Sequence, residues 1–126
     1  MIVFHGTIKS RVPQIMKEGL KPKCEKDSRW EYDNKPIDAI GLTDIFGHAH
    51  AYACRKAIIE GCIPMILLLD VPEDILHDTF ELENPESKHF AVLDIISPTH
   101  IISSEEVKLL DIYKTADLLG LEVKEK

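Results

Sequence analysis

A histidine closes the first apolar run of this chain. Met1 to Phe4 read as a short strand, and His5-Gly6-Thr7 follows where that strand must stop. A titratable ring at the end of a buried strand either satisfies a structural bond or meets a ligand, and its position in the sequence leaves both readings open. Other groups able to do chemistry lie further along. Trp30 and Tyr32 stand in a polar, charged stretch without period, where each is either a ligand wall or an anchor packed on the core. His50 and Cys54 are four residues apart on a helical pattern, with Cys62 beyond, but no two-His, two-Cys set has tetrahedral ligand spacing, so no metal is expected. Glu105 and Glu106 form a late carboxylate pair, which would be ordinary as a solvated strand start.

The elements that must position these residues follow from periodicity and punctuation. Val12, Ile15 and Met16 recur at helical spacing, so Ser10 to Glu18 is expected to be a helix with that stripe on the core and Gly19 as its left-handed stop. Ala39 to Thr43 reads as a second strand, with Asp44 as N-cap of a helix from Ile45 to about Glu60 that ends at Gly61. On that helix Ala49, Tyr52, Ala53, Lys56 and Ile59 are expected to share the face on the sheet. Met65 to Val71 is nearly continuous apolar sequence between Pro64 and Pro72, the pattern of a strand covered on both sides. One helical turn is expected at Glu73 to Leu76, an acidic loop from Asp78 to Ser87, a strand at Phe90 to Ile96 and a turn through Pro98 and His100. Val107 to Ile112 reads as a last strand, followed by a short helix from Thr115 to Gly120. Strands crowd the second half with few helices between them, which favours an α+β sheet core.

With 126 residues the chain fits one domain, residues 1–126, with core enough to fold without disulfides; three widely spaced cysteines agree. No apolar run approaches the length of a membrane helix, and Met1 opens directly into the first core strand, so a cytoplasmic location away from membranes is expected. The net charge of −7 is uneven: residues 1–35 hold eight Lys or Arg against five Asp or Glu, and the remainder is strongly acidic. That balance excludes a general nucleic-acid binder and leaves the basic third either a phosphate contact or a solvated loop.

Three stretches together resemble the ADP-ribosyltransferase superfamily, particularly its diphtheria-toxin and poly(ADP-ribose) polymerase branch. Phe4-His5-Gly6-Thr7 is similar to the branch's first-strand motif. Ile40-Gly41-Leu42-Thr43-Asp44 with Ala51-Tyr52-Ala53 is similar to its strand-to-helix motif, and Ser104-Glu105-Glu106-Val107 to the acidic entry of its final strand. The resemblance covers residues 2–112. It implies a small split β-sheet core with two main helices, and NAD as co-substrate. It also implies that His5, Gly6 and Thr7 grip nicotinamide and ribose, that Gly41, Leu42 and Thr43 line the site, that Tyr52 stacks on nicotinamide, and that Glu106, with Glu105 beside it, is the catalytic carboxylate. Such a carboxylate stabilises an oxocarbenium-like transition state, as in glycoside hydrolysis. A neutral His5 would hold the ribose 2′-hydroxyl. The branch usually has Tyr where this chain has Gly41, and Tyr32 or Trp30 is the nearest aromatic to replace it.

The implied function is an NAD-dependent ADP-ribosyltransferase or NAD glycohydrolase acting on a protein or nucleic-acid acceptor. Two alternatives stand beside it. The same motifs resemble the RNA 2′-phosphotransferase branch, although that branch relies on several arginines and this chain has only Arg11, Arg29 and Arg55. The other alternative is an inactive relative that binds NAD or ADP-ribose without chemistry.

Overall fold

A computed structural model describes residues 1–22, 31–32, 35–36, 39–78 and 89–120. The protein is α+β. Strands β1 (Ile2–Ile8), β4 (Ile40–Thr43), β5 (Pro64–Asp70), β6 (His77–Asp78), β7 (His89–Val92) and β8 (Ile101–Glu106) form one antiparallel sheet in the order β6-β7-β4-β1-β5-β8. Strands β2 (Glu31–Tyr32) and β3 (Lys35–Pro36) pair separately. The helices are α1 (Val12–Glu18), α2 (Phe46–Glu60) and α3 (Leu109–Leu119).

The two faces of the sheet are covered differently. Because side chains alternate along a strand, β1 and β5 each serve two cores. Val3, Leu67 and Leu69 pack with Ile15 of α1, Leu42, Phe90, Val92 and Ile96 on one side. Ile66 packs with Ala49, Ala53 and Ile58 of α2 and with Ile112 and Ala116 of α3 on the other, Phe4 lying against them. β5 is thus buried on both faces, as its unbroken apolar run requires.

Glycines set the close approaches. Gly6 faces α2, and a Cβ there would collide with the carbonyl oxygen of Ala49. Small residues at 49, 53 and 57 let α2 lie down on β1 at that spot, and all three are buried. Gly19 sits at φ 87°, and a Cβ there would collide with the carbonyl of Ile96. The chain is clasped at that point: Leu20 and Ile96 exchange both backbone bonds, at 2.9 Å each.

The ladders along β1 are unequal. With β5 it forms seven pairs, from Ile2↔Asp70 to Ile8↔Pro64. With β4 it forms one, Phe4↔Thr43. The sheet is continuous, but its join between β6-β7-β4 and β1-β5-β8 is a seam of one pair.

Several local expectations are corrected. α2 is rotated from the expected stripe: Tyr52 and Ile59 are exposed, and the buried set is Ala49, Ala53, Cys54, Ala57 and Ile58. The close fit over Gly6 admits alanine and excludes tyrosine. Met16 is exposed, leaving Ile15 as the buried contact of α1. The β7 strand stops at Val92, and Ile96 makes only the bridge to Leu20. The last strand is Ile101–Glu106, not Val107 to Ile112; Val107 is buried beyond its end, and Ile112 and Ala116, four apart, pack α3 on α2. Glu105 and Glu106 consequently end the final strand instead of entering it.

Candidate functional site

His5 lies where the β1–β4 ladder stops. One step past the Phe4↔Thr43 pair the strands part, and the His5 ring reaches across, Nδ1 lying 2.7 Å from the carbonyl oxygen of Gly41. A carbonyl accepts, so Nδ1 carries the proton. In a neutral imidazole of that tautomer the second nitrogen, Nε2, is a hydrogen-bond acceptor. The half-buried ring thus replaces part of the ladder that the seam gives up.

The β1-β5-β8 register decides which carboxylate shares that side of the sheet. Residues directly paired project to the same face. His5 pairs with Leu67, and Leu67 with Ser104; Thr7 pairs with Met65, and Met65 with Glu106. His5, Thr7 and Glu106 therefore stand on one pleat side, whereas Gly6, Ile66 and Glu105 stand on the other. Two strand spacings and two residues along separate His5 from Glu106, about 12 Å between Cα atoms. Glu106 is exposed and paired through Oε1 with Lys9 Nζ at 2.6 Å.

The remaining expected residues divide. Thr7 is buried, as is Leu42, which belongs to the core beside Val3. Gly41 supplies the carbonyl to His5. Gly6 serves the packing of α2; the sequence had suggested close approach of a ligand. Thr43 lies in the turn before α2, its Oγ1 accepting from the Ile45 amide at 3.1 Å. The N-cap is Ile45, without a side-chain cap bond, and not the expected Asp44, whose Oδ1 is buried without a hydrogen-bond partner among the described residues. Tyr52 stands on the outer side of α2 with Lys56 Nζ 5.8 Å from its ring centre, and α2 covers the pleat side opposite His5. The structure does not bring Tyr52 and His5 together. Tyr32 pairs with Lys35 in the small hairpin; Trp30, Cys24, Arg29 and the acidic loop lie outside the described residues, apart from Asp78 in β6.

A second cleft, of about 290 Å³, opens on the α2 side of the sheet. Its lining includes Phe46 and His50 of α2, Ile66, Glu105 and Glu106 from the strands, and Asp111 of α3. His50 Nε2 is 3.5 Å from Asp111 Oδ2, and its Nδ1 lies 3.9 Å from the buried Cys54 Sγ. The sequence named His50 and Cys54 only as a metal pair. Asp111, sixty-one positions beyond His50, carried no sequence signal, because only the docking of α3 on α2 joins them. No group of three or more His, Cys, Asp or Glu suited to hold a metal occurs among the described residues. Nor is any described helix long and apolar enough to cross a membrane.

Comparison with known proteins finds no family model that matches the chain, and no curated protein matches it.

Proposed function

We propose that the seam between β1 and β4 is the binding site of an NAD-dependent ADP-ribosyltransferase or glycohydrolase, with a protein or nucleic-acid acceptor. One observation carries the reading: the register puts the ring of His5, tautomer fixed by Gly41, on the same pleat side as Glu106. A pyridinium ribosyl group lying between them would present its ribose hydroxyl to Nε2 of His5. Its anomeric carbon would face the carboxylate, which stabilises the positive charge that develops as the nicotinamide leaves. Lys9 pairs with that carboxylate and must yield it, or share it, as charge builds on the sugar.

The test is nicotinamide release from NAD by the purified protein, with and without lysate protein or RNA as acceptor. The expected result is release that falls about a hundredfold or more in Glu106→Gln while NAD binding persists. Release by the parent equal to that of Glu106→Gln would overturn the carboxylate's role.

A second reading, recognition of NAD or ADP-ribose without turnover, is favoured by the placement of Tyr52 away from His5 and by the neutralising Lys9. Binding with no nicotinamide release under any acceptor would select it. The phosphotransferase alternative turns on Arg29, which lies outside the described residues; of the other two arginines, Arg11 pairs with Glu60 at 3.5 Å and Arg55 is exposed on α2.

A further inference from the structure

The cleft on the α2 side has a composition of its own. Its floor is apolar, formed by Ile66 and Val107, both buried. One wall is Phe46, which keeps about half its surface open, 49%, although Phe4 holds it edge-on at 5.5 Å and 85°. The rim carries the carboxylates of Glu105 and Asp111 against Lys108, with His50 3.5 Å from Asp111; Glu106 also lines the cleft, but its carboxylate is paired with Lys9. Glu105 stands on the same pleat side as the Ile66 floor and forms no ion pair or side-chain hydrogen bond among the described residues.

The geometry points to this cleft as a docking site for a basic polypeptide, one of whose arginine or lysine side chains enters it. The apolar stem lies against Ile66 and Val107, and the cationic head rests on the face of Phe46 and pairs with Glu105 and Asp111. Charge complementarity decides the occupant. An anionic or wholly apolar partner would have to bury this rim without compensation. The inference rests on the cleft's own residues and holds whether or not the seam binds NAD.

The test is titration of the full chain, without NAD, by a fluorescein-labelled tetra-arginine peptide, followed by anisotropy and by amide chemical shifts. Saturable binding is expected, weakening as salt rises, with shifts centred on Phe46, His50 and Ile66. Glu105→Gln should weaken binding about tenfold, since a charge-assisted pair is lost. Because Glu105 is exposed, that variant keeps the fold. Asp94→Asn, which removes an exposed carboxylate outside the cleft, should leave binding unchanged. Equal loss in both variants would reduce the effect to the chain's general negative charge and overturn the site. Absence of saturable binding, or shifts elsewhere, would overturn it as well.

Discussion

The two sides of β1 are built to different standards. Toward β5 it has seven paired residues and a double core; toward β4 it has one pair and a histidine ring. The β5 side shows what a strand does when every backbone group meets a partner and both faces are dry. At the β4 side backbone pairing is given up, and a side chain takes the exposed carbonyl. A ladder bond serves only the ladder, whereas an imidazole bonded through Nδ1 carries a second nitrogen with a chemistry of its own. The difference between the two sides is the difference between a continuous ladder and a join held by a side chain.

Four changes would sharpen or break that contrast. The largest effect is expected from Leu67→Ala. This fully buried residue sits beside His5 on the tight side, and its loss should cost about 2–5 kcal/mol in denaturant unfolding. A cost near zero would mean that the β5 ladder is not the scaffold. His5→Ala should cost only about 1 kcal/mol, the net worth of one hydrogen bond. Hydrogen exchange should then accelerate at the amides of Ile40–Thr43 while those of residues 65–70 in β5 stay protected. Equal acceleration in both strands would show that the seam is no separate unit. Lys9→Met removes an exposed pair between the turn after β1 and the end of β8, and a change within about 0.5 kcal/mol is expected. The smallest effect concerns Glu18. A hydrogen bond from Gln14, and then the charge of Lys21, hold its carboxyl below the ordinary value of 4.5. A carboxyl lowered by folding contributes stability that is present above its unfolded value and lost as pH falls through the folded one. Gln14→Ala should move the Glu18 titration, followed by carboxyl NMR shifts, back upward and leave both ladders untouched.

Much of the scaffold could be read from local chemistry. Pro64 opens β5 as expected and Pro72 follows it; Gly61 and Gly120 take left-handed φ of 65° and 66° at the ends of α2 and α3. Those are short-range constraints, and sequence carries them directly. The failures are of another kind. Val107 to Ile112 has an apolar pattern that fits strand or helix over so short a window, and the packing of Ile112 and Ala116 on α2 decides for helix. Tyr52 was assigned inward because its spacing from Ala49 fits a buried stripe. The rotation of α2 is instead fixed by Gly6 on a different element, forty-three positions before Ala49. His5 was legible as an odd residue of the first strand, but the sequence pattern ended that strand at Phe4, whereas β1 runs on to Ile8 because His5, Gly6 and Thr7 all pair with β5; its partner Gly41 emerges only when β1 and β4 meet. The cleft was not legible at all, because it is assembled from three elements whose residues are ordinary one by one.

The β1–β5 ladder also has a kinetic consequence. Its pairs join positions from 56 residues apart, Ile8↔Pro64, to 68 apart, Ile2↔Asp70. Closing such loops must be accomplished before the contacts reward it, so the strongest part of the sheet forms from the most distant partners. Refolding should therefore be slow for a domain of this size. While β1 is undocked, both the unpaired edge of β5 and the alanine face of α2 stand open, and the first strand of the sequence is among the last to be secured.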